Sequence, residues 1–418
     1  MDLLNLCQIT KKSCGDLLLT DSKVIDKTLL DLANNLLENK EYIQNQNAID
    51  IENAEKKGIS TAFIDRLTLS DKVIKGMAEG LKQVAYLSSP VGKSEYSYKN
   101  LEQGIDINKI KVPFGVIGMI YESRPNVTID AFALCFKTKN AVILKGGSDG
   151  LFSNIALVKI IKKTLKDNGI NENVINLIED TRRETTIAFM KMDKYLDLLI
   201  PRGSAKLINS VVENATIPTI ETGAGNCNIY VDSHADIDKA VKVIFNAKTQ
   251  RYGVCNACES LVIHKEILSN ALPEIANSLL QKEIEIRADS RAYQVIKDYP
   301  YLVCATQEDF STEYDDAIIS VKVVDSLDEA IEHINNCSTH HSESIITENK
   351  QNAEKFLNLI DSSSVYHNAS TRFSDGFIFG LGAEIGIATQ KLHARGPMGL
   401  EALVTTKYVI KGDGSVRK

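Results

Sequence analysis

The sequence predicts an α/β protein with two mostly parallel sheets and an added β-hairpin, and three observations carry that expectation. From residue 112 onward, apolar runs of strand length alternate with helix-like segments: VPFGVIGMIYE, FALCFKTKN, AVILKGG, SNIALVKIIKKTLKDNG. Such alternation places strands side by side in parallel, with helices over both faces. It resumes after residue 226 with NIYVD, HADIDKAVKVIFNAKTQ and ESLVIH, so a second α/β region follows with no linker or internal repeat between them. The segment SEYSYKNLEQGIDINKIK, residues 94–111, instead reads as extended chain turning near Gln103-Gly104, outside any βα repeat.

At 418 residues the chain has material for two or three domains and an ample core. Hydrophobic residues at 44% and charged residues at 25% fit a globular enzyme and not a disordered or fibrous chain. A net charge of -7 and a pI near 5.7, with no basic run interleaved with aromatics, argue against a nucleic-acid partner. Eight irregularly placed cysteines in so long a chain do not form a secreted disulfide framework and fit a reducing compartment. The opening MDLLNLCQITKK has an acid at position 2 and no sustained apolar core, so it is not read as a signal peptide. The longest apolar-rich run, residues 114–121, is far short of the roughly 20 residues that cross a bilayer. The expectation is a cytoplasmic protein that engages no membrane.

In chain order, residues 22–45 carry Val24, Ile25, Leu29, Leu30, Leu32, Ala33, Leu36 and Leu37 near a 3.6 period, with Asp21 or Ser22 as N-cap, which predicts a helix. Another is predicted over residues 71–86, ended by SSPVG. Gly92-Lys93-Ser94 imitates the end of a phosphate-binding P-loop, but Leu87 stands where that motif requires its first glycine. A hairpin alone is marginal in water, so residues 94–112 are expected to pack on something else, such as a second subunit. The first α/β region continues through VINLIED, a helix near residues 185–190, the strand YLDLLIPRG, the helix SAKLINSVVENA and a strand IPTIET. The second adds the helix KEILSNALPEIANSLLQK, the strand DDAIISVKVV, the helix SLDEAIEHIN and the strand SESIITE. From residue 361 the chain is loop-rich and ends in a strand near residues 405–410 that can join the hairpin.

Chemistry centres on NAKTQRYGVCNACESLVIH, residues 246–264. Cys255 falls at a bend beside a strand, with Lys248 and Arg251 close by to favour the thiolate, the form that attacks acyl carbon. Inert packing is the competing reading of any intracellular cysteine. Cys255-Asn256-Ala257-Cys258 also spells C-x-x-C, yet no thioredoxin-like context and no second ligand pair accompany it. His333, Cys337 and His340 are read as helix-end residues and not as metal ligands, so no metal site is expected. Two glycine turns end strands and open helices, Lys145-Gly146-Gly147-Ser148 and Pro201-Arg202-Gly203-Ser204, where phosphates can approach helix N-termini. A complete G-x-G-x-x-G is missing, so these are either nucleotide turns or plain turns.

Taken together, VPFGVIGMIYESRPNVT, LKGGS, IPRGS, ETGAGNCNIYVD, NAKTQR-x-x-VCNA, STEYDDAIISVKVVDSLDEAI, VYHNASTRF-x-DG and GLGAEIGIATQKLHARGPMGLEAL resemble the aldehyde dehydrogenase superfamily over nearly the whole chain. The resemblance implies an aldehyde-dehydrogenase-like fold. Its cofactor-binding domain would comprise residues 1–93, 113–228 and 361–382, its catalytic domain residues 229–360, and its oligomerisation element residues 94–112 and 383–418. Within the family it points to NADPH-dependent reduction of L-glutamyl 5-phosphate to L-glutamate 5-semialdehyde with release of phosphate, the second step of proline biosynthesis from glutamate. A non-phosphorylating aldehyde dehydrogenase is the alternative. No kinase domain is present, so the activated substrate would come from a separate glutamate kinase, and a homo-oligomer is expected.

Carried over by position, Cys255 resembles the nucleophile and Asn126 the side-chain oxyanion donor, acting with the backbone amide of Cys255. Lys145, Gly146, Gly147 and Ser148 resemble the adenosine end of the cofactor site, Gly203 and Ser204 its contacting turn, and Glu313 the cofactor-ribose glutamate. Glu221 matches the base that activates water in hydrolytic members, a role the phosphorylating reaction does not require. Arg124, Arg251, Arg372 and Arg395, all in motif loops, are candidates for phosphate or α-carboxylate recognition, since a guanidinium matches those anions bidentately. Asp149 is the nearest acid to Lys145, so the turn suits a 2′-phosphate better than a 2′-hydroxyl and favours NADP over NAD. Tyr252-Gly253, Asn228, His367 and Cys258 depart from the usual family residues, and Cys258 replaces an apolar one.

Overall fold

The computed structural model describes residues 2–122 and 124–417, and the chain divides into two compact units. The first comprises Met1–Glu221, Gly380–Gly386 and Met398–Lys418, the second Thr222–Phe379 and Ile387–Pro397.

The first unit opens with five helices: α1 (Leu3–Leu19), α2 (Ser22–Glu38), α3 (Lys40–Lys56), α4 (Thr61–Leu67) and α5 (Asp71–Tyr86). Asp21 caps α2 by accepting from Lys23 N at 2.7 Å, and the helix buries Ile25, Leu29, Leu32, Ala33 and Leu36 along one face. The single helix expected over residues 22–45 is divided at Asn39, whose backbone (φ -98°, ψ 20°) leaves the helical region while its side-chain amide donates to Asn35 O, so α2 ends there and α3 begins at Lys40. Next come the hairpin strands β1 (Ser94–Asn100) and β2 (Ile105–Pro113), then β3 (Val116–Tyr121), α6 (Val127–Lys137), β4 (Ala141–Gly146), α7 (Leu151–Asp167), β5 (Ile175–Leu177), α8 (Arg183–Phe189), β6 (Leu198–Arg202) and α9 (Ala205–Asn214). The sheet runs β5-β4-β3-β6 with every pairing parallel, and Tyr121 lies abreast of Gly146 and Arg202. The carboxyl ends of three strands therefore finish at one level. The expected strand IPTIET is reduced to isolated bridges at Thr219 and Thr222, because Pro218 has no N–H to continue a ladder.

The second unit contains β7 (Cys227–Val231), α10 (Ile237–Thr249), β8 (Cys258–His264), α11 (Leu268–Leu280), β9 (Glu285–Ala288), α12 (Ser290–Val295), β10 (Leu302–Cys304), β11 (Ile318–Val324), α13 (Leu327–Cys337), β12 (Ser342–Ile346), α14 (Lys350–Leu359) and β13 (Ser364–His367), with a short antiparallel pair β14 (Ile387–Ala388) and β15 (Gly396–Pro397). Its seven-stranded sheet is parallel throughout in the order β10-β9-β11-β8-β7-β12-β13. Residues 361–379, grouped from sequence with the first domain, fall in this unit because β13 pairs with β12 from Ser342–Ser364 to Ile345–His367. The boundary also lies earlier than residue 228, since β7 is a central strand here. Elements β9, α12 and β10, of four, six and three residues, are too short to show a period of their own, and the ten-residue α14 carries only Ala353, Phe356, Leu357 and Leu359 as apolar positions.

The last strand, β16 (Val404–Gly412), returns to the first unit and pairs antiparallel with β2 from Val404–Pro113 to Gly412–Ile105, completing a three-stranded ribbon as the sequence suggests. Among the described residues no helix is long and apolar enough to cross a membrane.

Candidate active site

In the second unit the candidate nucleophile sits at the amino edge of the parallel sheet. Cys255 occupies the turn between α10 and β8 and is half-buried. Two tight bonds shape that turn, Val254 N to Tyr252 O at 2.8 Å and Ala257 N to Val254 O at 3.0 Å. At the amino end of the neighbouring strand β7, Gly225 runs so close that a Cβ built on it would overlap the carbonyl oxygen, carbonyl carbon and Cα of Cys255. The approach requires glycine. Glu313 fixes it by accepting from Gly225 N at 2.8 Å, and Cys227 Sγ donates to Cys255 O at 3.1 Å.

Two guanidinium groups set the electrostatics. Arg372, in the turn Thr371–Phe373, donates from Nε to Gln250 Oε1 at 2.9 Å. Burial holds its pKa below the ordinary arginine value, Cys255 pulls it back up and Arg251 pushes it further down. Arg372 thus interacts electrostatically with both Cys255 and Arg251, and positive charge near a thiol favours its thiolate. Beside Arg372 a cavity of about 750 Å³ is lined by Lys242, Asn246, Gln250, Ser370 and Phe373. A cavity of about 860 Å³ in the first unit, along the lysines of α7, touches none of the candidate residues.

The other cysteines of this edge face inward. Cys258 is fully buried in β8, its Sγ donates to Ser260 O at 3.4 Å, and burial pushes its thiol up to about 12. Burial, then Glu343, raises the Cys227 thiol well above its usual value. Arg395 binds the Asp361 carbonyl and carboxylate at 3.1 and 2.9 Å, an ion pair with the segment between α14 and β13. His333 and Cys337 approach to 3.8 Å at the end of α13.

The first unit presents its candidates at the opposite kind of edge, the carboxyl ends of its strands. Lys145 is buried at the end of β4, and its ammonium donates to Gly146 O at 3.1 Å. Burial lowers its pKa, and Asp180 beyond β5 opposes the shift. Gly146, Gly147 and Ser148 then lead through the turn Ser148–Gly150 into α7. After β6, Ser204 caps α9 by accepting from Leu207 N at 3.4 Å, and its own N–H donates to Glu122 Oε2 at 2.9 Å. A Cβ on Gly203 would meet that carboxylate oxygen at 2.6 Å, so glycine lets the turn close on Glu122. Asn126 opens α6 and donates from Nδ2 to Asp130 Oδ2 at 3.2 Å, the Asp130 carboxyl being pushed up to about 6 by burial. Arg124 starts the same turn, its carbonyl accepting from Val127 N at 3.0 Å. Glu221 is the last residue of this unit before the chain crosses to the second. Glu122, Gln250 and Asp180 are no candidates by sequence, and their roles appear only as hydrogen bonds and nearby charge, although Glu122 directly follows the β3 run.

Residues 44–292 and 306–408 match the aldehyde dehydrogenase family. The chain belongs to the aldehyde dehydrogenase family. Among aldehyde dehydrogenase family relatives it is similar to gamma-glutamyl phosphate reductase of Clostridium acetobutylicum, at 52% identity over 100% of this chain and 99% of that one. It is also similar to gamma-glutamyl phosphate reductase of Lachnospira eligens, at 56% identity over 94% of each chain. The crystal structure of gamma-glutamyl phosphate reductase from Thermotoga maritima superposes with a TM-score of 0.96 and 45% identity over 100% of both chains. An acetylating aldehyde dehydrogenase from Geobacillus thermoglucosidasius, at 17% identity and a TM-score of 0.72 over 99% of this chain and 97% of that one, shares the fold.

Proposed function

We propose that this chain reduces L-glutamyl 5-phosphate to L-glutamate 5-semialdehyde with NADPH and releases phosphate, in the step of proline biosynthesis that follows a glutamate kinase. The observation that carries the reading is 52% identity over 100% of the chain and 56% identity over 94% of it to relatives named gamma-glutamyl phosphate reductase, together with a half-buried cysteine that interacts with Arg372. Cys255 Sγ attacks the acyl carbon, the carbon–oxygen bond to phosphate breaks, and a thioester remains on the sulfur. Arg251 and Arg372 serve the reaction twice, by favouring the ionised sulfur and by donating hydrogen bonds to the anionic phosphoryl oxygens. In the family pattern Asn126 and the Cys255 amide are the donors for the developing oxyanion, a contribution of about 3 kcal/mol each.

The carboxyl edge of the first sheet fits a phosphorylated dinucleotide. The Lys145 ammonium has three donors, one of which is used on Gly146 O, and no acid lies in the Lys145–Ser148 turn to repel a 2′-phosphate. When bound, NADPH supplies the hydride that reduces the thioester. Lys145 and Ser148 hold the adenosine end, Gly203 and Ser204 form the contacting turn, and Cys255 takes back its electron pair as the aldehyde leaves.

The test is NADP reduction driven by glutamate 5-semialdehyde with and without phosphate. Phosphate-dependent turnover is expected. Equal turnover in both conditions would instead identify a non-phosphorylating aldehyde dehydrogenase.

A further inference from the structure

We propose that Asn256, the residue after the candidate nucleophile, is a positioning residue that fixes the Arg372 guanidinium against the Cys255 thiol by clamping the turn that carries it. The clamp has two bonds of opposite sense. Thr371 Oγ1 donates to Asn256 O at 2.8 Å, and Asn256 Nδ2 donates to Ser374 O at 2.9 Å. The turn closes on itself through Ser374 N to Thr371 O at 3.1 Å, with Arg372 inside it. Covalent geometry does the rest, because Cys255 is one residue from Asn256 and Arg372 one residue from Thr371, so two short bonds hold the sulfur-bearing and guanidinium-bearing segments in one register.

The clamp is built to be stiff. Asn256, Thr371 and Ser374 are all buried, so water cannot take over a lost bond and the abandoned partner keeps its desolvation cost. Ser374 Oγ is bound in turn to Ser342 Oγ at the amino end of β12 and to Tyr366 OH on β13 at 2.7 Å, which ties the turn to the sheet. The Arg372–Gln250 bond adds a second anchor at the end of α10. Besides Arg372, the groups that bear on this corner are Arg251 on the nucleophile's own turn, Asp375 just past the clamped turn, and Cys227 on β7 with Glu343, Glu259 and Cys258 behind it.

The proposal rests on Cys255 being the nucleophile, and its test is chosen to separate the two ideas. Thr371→Val removes the hydroxyl at nearly constant size, and Thr371→Ser keeps it. The reading is the pH dependence of Cys255 alkylation by iodoacetamide in the full-length enzyme without substrate, with Cys255→Ser as blank, alongside kcat and KM. Thr371→Val is expected to raise the alkylation midpoint by about one pH unit and to lower kcat/KM about tenfold, and Thr371→Ser to restore both. Asn256→Ala cuts the other bond and should move the midpoint the same way, which keeps the test decisive if Thr371→Val folds poorly. Because the route runs through Arg372, adding Thr371→Val to Arg372→Gln should change the midpoint by less than about a third of its effect alone. An unmoved midpoint in both clamp variants, or full additivity with Arg372→Gln, would overturn the proposal. Reductase activity surviving Cys255→Ser would instead overturn the nucleophile assignment.

Discussion

Replacing Gly225 with alanine should cost this enzyme about two orders of magnitude in activity while leaving it folded. The added Cβ meets backbone atoms of Cys255 and not the end of a flexible side chain, so no change of rotamer relieves the overlap. Since Cβ atoms essentially never come within 3.0 Å of such neighbours, the start of β7 and the Cys255 turn must part by more than ~1 Å. Three bonds resist that movement: Gly225 N to Glu313 at 2.8 Å, Asn226 N to Thr339 Oγ1 at 2.9 Å, and Cys227 Sγ to Cys255 O at 3.1 Å. The strain should lower stability by roughly 1–3 kcal/mol, which a chain of this size survives. A nucleophile misplaced by about 1 Å loses on the order of 10²-fold in rate, or ~2.7 kcal/mol of transition-state stabilisation. The assay is phosphate-dependent NADP reduction by glutamate 5-semialdehyde, with thermal unfolding measured in parallel. A Gly225→Ala enzyme within threefold of wild type would refute the claim that this close approach positions Cys255.

Cys255→Ser should abolish reductase activity and leave cofactor binding intact, whereas Cys258→Ala should retain activity because its buried thiol serves packing; equal damage from both would revive the C-x-x-C redox reading. Lys145→Ala should weaken NADPH more than NADH, by roughly 1–3 kcal/mol in fluorescence titrations, and an equal loss for both would place cofactor preference elsewhere. Glu343 is fully buried and burial pushes its carboxyl from an ordinary 4.5 up to about 8, so the folded chain keeps a proton there that the unfolded chain releases. That contribution to stability is complete below about 4.5 and is lost as pH rises through about 8, so wild-type thermal stability should fall across this window and Glu343→Gln should flatten the fall. Parallel profiles for the two proteins would rule it out. The ribbon of β1, β2 and β16 leaves Tyr96, Tyr98, Tyr408 and Ile410 exposed, and replacing Tyr98 and Ile410 with lysine should convert an oligomer to monomer in light scattering; an unchanged mass would remove the ribbon from the subunit contact.

Local sequence determined the parts of this protein whose physics is local. Buried parallel strands need unbroken apolar runs, so VIGMIY and AVILKG read as strands without any knowledge of their neighbours, and Asp21 marks a helix start because its cap bond spans two residues. The family motifs likewise singled out Cys255, Asn126 and Lys145, because chemistry fixes residue type. Very short elements stayed hidden: the four-residue β9 and the three-residue β10 are held by their neighbours and not by their own pattern. Tertiary structure alone decided which edge of which sheet each candidate occupies, with Cys255 at amino ends in one unit and Lys145 at carboxyl ends in the other. It alone brought Gly225, Arg372 and Asn256 to one corner across 31 to 147 residues of chain, since a contact between distant segments is set by strand order and register, which no window of sequence contains.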